Sequence, residues 1–275
     1  MASNIIEFFG YSPDDLSEAA KDARKGRICP ILGRQCVKTL SDGEISGVCT
    51  LKPKTRGPVI CCPVRLYAKN YAILHDIAAI AFGSDFPMVP ASALTSTLGE
   101  CVAVFGRGWG KELRLPNRGK GGSYFVDWVL AHLDASGDLI SFVAVEVQSI
   151  DTTGNYRAER EALIRGVSIT KPSTAGFNWE NVNKRIVPQL IYKGHVLRQE
   201  PLCQKGLFFV CPTPVYEKIK ERLGGGLRSY PIQPGSLTIM WYDLGPEVRS
   251  GEIRELENRG HLTTTIDQIA LAFTA

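Results

Sequence analysis

The sequence predicts a mixed α/β fold, a sheet flanked by helices, and three observations lead there. Residues 124–134 and 139–151 form two long apolar, β-branched and aromatic runs joined by Ala135-Ser136-Gly137-Asp138, the composition of a hairpin. Residues 101–106 and 111–115 precede them as further strands, and 207–211 and 236–244 follow. Between and around these lie helical patterns, at 12–25, 68–82 and from about Trp179 to Leu197, with a helix opened by Thr213-Pro214 and a short terminal helix.

Taken in order, Ser12 is expected to cap the first helix, Pro13 suits its first turn, and Asp14 and Asp15 favour the positive end of its dipole. From Gly26 to Pro63 the chain is rich in Gly, Pro and Cys with little periodicity, so it is expected to lack a core of its own and to need a staple. The apolar pattern returns at 68–82. Pro188 removes a backbone donor and is expected to kink the 179–197 helix. Gly224-Gly225-Gly226 and the stretch Pro231 to Pro234 read as a loop or hinge. The expected organisation is an N-terminal region, residues 1–66, ahead of a core at 67–275.

The 275 residues, 44% hydrophobic and 22% charged, fit an ordinary globular protein with a sizeable core. No apolar run reaches the ~20 residues of a membrane span, and the N-terminus lacks the basic and apolar regions of a signal peptide, so no membrane and a cytoplasmic location are expected. A net charge of +4 permits nucleic acid as a partner without pointing to it. Eight cysteines in a reducing compartment are better read as metal ligands or chemistry than as disulfides. Cys29, Cys36, Cys49 and Cys62 cluster in one stretch beside Cys61, whereas Cys101, Cys203 and Cys211 sit in apolar surroundings as small core residues.

The segment Val143 to Gln148 carries the most chemistry. Alternation along a strand sends Val145 and Val147 to one face and Glu146 and Gln148 to the other, and polar groups there need partners. The partner strand of the hairpin carries Asp127, so Asp127 and Glu146 are placed to converge. Two converging carboxylates repel unless a cation lies between them. A hard divalent ion such as Mg2+ relieves that repulsion and activates water toward a phosphodiester. The alternative is that both acids pair with Arg or Lys from a helix above the sheet. Glu112 lies on the preceding segment and reads by itself as a solvated residue.

Asp127 followed by Glu146-Val147-Gln148 on a hairpin resembles the PD-(D/E)xK nuclease core in its glutamine variant. Short stretches in order, among them Ile6 to Gly10, Cys29-Pro30, Cys36-Val37-Lys38, Gly47-Val48-Cys49, Cys62-Pro63, Phe125 to Trp128, Gly154 to Arg157 and Asn181 to Arg185, resemble the NotI family of type II restriction endonucleases from about residue 5 to 215. The resemblance implies a restriction-endonuclease-like mixed sheet with an N-terminal four-cysteine metal-binding region. It also implies that Asp127 and Glu146 bind catalytic Mg2+, that Gln148 orients water or the scissile phosphate, and that Glu112 assists as an outer acid. Val126 stands where the motif's name has Pro, and neutral Gln148 shifts charge neutralisation onto the metal.

The four cysteines have six, twelve and twelve residues between successive members, which by itself leaves metal binding and scattered thiols equally open. The resemblance implies a structural iron or zinc ion on Cys29, Cys36, Cys49 and Cys62, with Cys62 preferred to Cys61 because Pro63 follows it. Basic residues flank the active strands: Arg114, Arg118 and Lys120 before Asp127, then Arg157, Arg160 and Arg165, then Lys184 and Arg185. They are candidates for phosphate contacts, and Asn155 and Arg157 for groove reading. The implied whole is a homodimer on double-stranded DNA, cutting a GC-rich palindrome, with a partner methyltransferase in the host. The alternative is a non-catalytic DNA-binding protein with a structural four-cysteine site.

Overall fold

The computed structural model describes residues 4–53, 57–83, 86–95, 99–106, 113–115, 124–170 and 173–275, with backbone alone for 113–115 and 124. In chain order the elements are β1 (Ile5–Phe8), α1 (Glu18–Gly26), β2 (Ile28–Cys29), β3 (Arg34–Gln35), β4 (Val48–Leu51), β5 (Val59–Ile60), α2 (Ala68–Phe82), β6 (Met88–Pro90) and β7 (Cys101–Gly106). Then come β8 (Leu113–Leu115), β9 (Tyr124–Val126), β10 (Trp128–Leu133), β11 (Leu139–Val147), β12 (Thr152–Thr153), α3 (Arg157–Arg165) and β13 (Gly176–Phe177). A π-helical turn at Val182–Ile186 leads into α4 (Val187–Leu197), followed by β14 (Leu207–Pro212), α5 (Thr213–Leu223), β15 (Ser236–Leu244), β16 (Leu256–Thr265) and α6 (Ile266–Thr274).

A seven-stranded mixed sheet forms the centre, in the order β16-β15-β14-β11-β10-β7-β6. The β10–β11 hairpin forms where the turn residues put it, with Trp128 opposite Val145 and Leu130 opposite Val143. β11, β14 and β15 then run parallel to one another, so the helices between them cover the sheet. Val143, Val145, Val147, Phe208 and Val210 face α2, packing on Ile73, Leu74 and Ile77. Ala144, Phe209 and Cys211 face the other way, against Val187, Leu190, Val215 and Ile266 of the three later helices. Both faces are therefore closed, and Glu146, on the Ala144 side, lies under α4 rather than in solvent. Gly194 is what lets α4 come so close to α6, since a Cβ there would lie 2.2 Å from Ile266 Cδ1.

Several local expectations are corrected. The first helix begins at Glu18, not residue 12, because Ser17 caps it by accepting from the Ala20 N–H, while residues 12–15 form a turn closed by Asp15 N–H to Ser12 O. The Cys-rich stretch shares a core with its neighbours: β4 and β5 join β1 in a three-stranded sheet whose Ile5, Phe8, Val48 and Leu51 pack with Ala20, Ala23 and Tyr156, most of them from outside that stretch. Pro188 is accommodated by the preceding π-helical turn, in which Val187 N–H bonds five residues back to Val182 O. Beyond residue 244 the chain forms a strand that the sequence reading did not include: β16 is a polar edge strand interrupted at Gly260 (φ +147), where the register with β15 slips.

Candidate functional site

Asp127 sits at the bend between β9 and β10, one residue before Trp128 pairs with Val145, which sets it beside Glu146. Its Oδ2 accepts the Val147 N–H at 2.8 Å, and its own backbone amide stabilises the Glu146 carboxylate. The convergence expected of the two acids is thus present. The side chain of Glu146 is 12% exposed and that of Lys193, on α4, 6%, with Lys193 Nζ 2.6 Å from Glu146 Oε1. The pairing of an acid with a helix cation, weighed as the alternative, is therefore found at Glu146. Glu146 Oε2 is buried and has no hydrogen-bond partner among the described residues. Burial, then the Asp127 charge, pushes the Glu146 carboxyl up to about 7, against the opposing pull of Lys193.

These acids open onto a cleft of about 960 Å³ that Gln148 also lines, just past the end of β11. One wall is Lys38 to Ser41 with Cys61 and Pro63 from the N-terminal region; the other carries Asn155, Arg157, Arg185 and Gln189. Lys184 is not on that wall and pairs with Glu180. Arg157 lies 2.5 Å from Asp42 and Arg185 3.0 Å from Asp151, both at the surface. Arg160, read as a phosphate candidate, is instead buried and donates to Ser46 O at 3.1 Å, fixing α3 to the Cys-rich region. Glu112, Arg118 and Lys120 lie outside the described residues, and of Arg114 the backbone alone is described.

Two contributors, Lys193 and Tyr67, escaped the sequence reading. Lys193 lies on the stripe Leu190, Lys193, Gly194, Leu197, all buried, and a lysine on an apolar helical stripe was the available signal. Gln189, one turn earlier, reaches the cleft. Tyr67 accepts from Trp128 Nε1 at 3.1 Å, and its hydroxyl is pushed far up by burial and then by the Asp127 charge.

The four cysteines also come together. Cys29, Cys36, Cys49 and Cys62 line one cavity of about 10 Å³, the space of a single small occupant. Their thiols influence one another: burial raises Cys29 and Cys36 adds to it, burial raises Cys49 with Cys62 next, and Cys62 is pushed up to about 11 by burial, with Cys61 and Cys36 also raising it. Backbone amides of Leu32 and Ile31 favour the Cys29 thiolate, and that of Val64 favours the Cys62 thiolate. Arg65, fully buried against Glu7 at 2.9 Å, also lines the cavity, and its Nη1 has no partner among the described residues. Cys61 faces away from it, toward the cleft, and takes the Lys38 ammonium at 3.2 Å. Among the described residues no group of three or more His, Cys, Asp or Glu side chains is arranged to hold a metal ion.

Among the described residues no helix is long and apolar enough to cross a membrane. No curated protein matches the chain. The family model for restriction endonuclease NotI matches residues 17–219, a span that takes in the four cysteines, both acids, Gln148 and Lys193. With well over half its length matched, the chain belongs to the NotI restriction endonuclease family and is a site-specific deoxyribonuclease.

Proposed function

We propose that this endonuclease hydrolyses phosphodiester bonds of a specific, GC-rich palindromic duplex site with Mg2+ held by Asp127 and Glu146. The observation that carries the reading is Glu146 Oε2, a buried oxygen with no hydrogen-bond partner among the described residues, beside a second carboxylate at the edge of a cleft. A buried acceptor left without a donor is costly unless a ligand completes it. Mg2+, when bound, supplies an activated water and offsets charge on the phosphodiester. Asp127 and Glu146 hold it from one side. Gln148, on the cleft wall, uses its amide to accept from the attacking water or donate to a phosphate oxygen. Glu112 serves as an outer acid. Arg157 and Arg185 line the same cleft, where they meet phosphates, and Asn155 reads an adjacent base edge.

Four cysteines lining one cavity support a structural ion there. Burial disfavours their thiolates, backbone amides at Cys29 and Cys62 offset part of that, and the buried Arg65 guanidinium lines the same cavity, where it would meet the negative charge of such a site. Zinc and iron both suit four thiolates. The protein acts as a homodimer, each subunit cutting one strand, and the host protects its own sites with a partner methyltransferase.

The test is incubation of purified protein with a large GC-rich duplex, with Mg2+ and with EDTA, beside Asp127→Ala. Discrete fragments that require Mg2+ and fall by roughly 10³-fold or more in the variant are expected. Intact DNA on varied substrates, with binding retained in a gel shift, would overturn the catalytic assignment in favour of a DNA-binding protein.

A further inference from the structure

Asp127 and Glu146 bring two negative groups to the end of β11, and Gln148, the next polar side chain along, is neutral. The strand itself offers no cation. One arrives from a different layer: Lys193, on α4, buried and 2.6 Å from Glu146 Oε1. A lysine this buried is rarely retained without a partner, and burying the pair is not in itself a strong source of stability. The pair also divides the carboxylate: Oε1 is taken by Lys193, while the buried Oε2 has no hydrogen-bond partner among the described residues. A free carboxylate turns about its last torsion and exposes its oxygens alike; this one is pinned through one oxygen with the other left over.

We infer that Lys193 is a positioning residue, which anchors Glu146 through Oε1 so that Oε2 is presented to a divalent cation. This rests on the reading of Asp127 and Glu146 as metal ligands. Lys193 does not line the cleft, so it acts through Glu146 and not on DNA. Gln189 does line it, one helical turn earlier on the same side of α4, which makes α4 the element that carries both the anchor and a cleft-facing amide. The π-helical turn just before α4 sets the rotation at which these side chains meet the sheet. A charge-assisted bond from an ammonium to a metal-ligating carboxylate is an outer-shell contact, and loss of such contacts lowers metal affinity roughly 10–100-fold.

The test is Mn2+ binding to the DNA-free protein, followed by the paramagnetic resonance of free Mn2+, with thermal unfolding measured on each variant. Wild type binds and Asp127→Ala does not. Lys193→Met is expected to weaken Mn2+ by at least about tenfold with its melting temperature within a few degrees of wild type, and Lys193→Arg, which keeps a charged donor, to recover most of the affinity. Equal or tighter Mn2+ binding by Lys193→Met would overturn the inference while leaving the metal reading intact. Should Lys193→Met unfold, Lys193→Arg against Lys193→Gln decides by the same comparison: equal affinities overturn the anchor. Wild type that binds no Mn2+, or binds it independently of Asp127, would overturn the metal reading and the anchor with it.

Discussion

The carboxylate pair and the cysteine cavity are both suited to cations, yet they are built in opposite ways. The carboxylates stand at the strand ends in the middle of a sheet closed on both faces and open into about 960 Å³; the thiols enclose about 10 Å³ within short strands and turns. Each leaves one buried atom unsatisfied among the described residues, and the two differ in sign: Glu146 Oε2 is an acceptor, Arg65 Nη1 a donor. An orphan acceptor asks for a cation directly. An orphan donor beside thiols asks for the thiols to become anionic, which they do when an ion binds them. On the proposed reading, the difference is that between a site whose ion would exchange with solvent and substrate and one whose ion would belong to the fold. Lys38 and Cys61 stand between them, since Lys38 lines both spaces.

The largest expected effect breaks the comparison if it fails. Cys49→Ser should lose the bound iron or zinc, measured by elemental analysis, and lower the melting temperature by about 10 °C, because ion binding there is folding free energy. Cys61→Ser should keep the metal, since Cys61 faces the cleft. Loss of metal from Cys61→Ser with retention in the Cys62→Ser variant would reverse the ligand assignment.

Next in size is a contact that holds the Cys-rich region without any ion. Asp15 accepts from Gly251 N–H at 2.8 Å, Ser250 Oγ at 2.6 Å and Ser17 N–H at 2.9 Å, tying the start of α1 to the loop before β16. Burial works to raise this carboxyl, and the three donors outweigh it, holding it well below the usual carboxylate range. Its stabilisation is therefore present above the unfolded value of about 3.9 and is lost as pH falls through the folded one. Asp15→Ala should cost about 1–3 kcal/mol in denaturant unfolding at neutral pH. The gap from wild type should close on acidification; a gap that is constant with pH would sink the ionic account.

The smallest effect sharpens the open side. Arg185→Gln should weaken DNA binding by a few-fold and reduce the salt dependence of binding by about one unit of slope. An unchanged slope would remove Arg185 from the phosphate contacts and return it to its pairing with Asp151.

What the sequence disclosed follows the range of the interactions involved. The β10–β11 hairpin was legible because a Gly-Asp turn and strict alternation fix register locally, and with it the meeting of Asp127 and Glu146. Lys193 was not, because nothing near residue 146 in the chain announces a helix that arrives 47 positions later. Helix α3 reads in the sequence as a run of basic residues; besides Ala162 its buried side chains are Glu159 and Arg160, charged groups bonded to the Ile5 amide and the Ser46 carbonyl, contacts that periodicity of apolar residues cannot reveal. Strand β16 was hidden by its composition, polar on an edge with a glycine in its middle.

The family match stops at residue 219, within α5, yet the sheet does not stop there. β14 has all six residues buried and is covered on one side by β15, which the last quarter of the chain supplies. A polypeptide ended at the limit of the similarity would bare that strand, Phe208 and Phe209 included, along its full length as a template for pairing with other chains. The less recognisable part of this endonuclease thus works as a resident seal on a strand edge that the recognisable part would leave open.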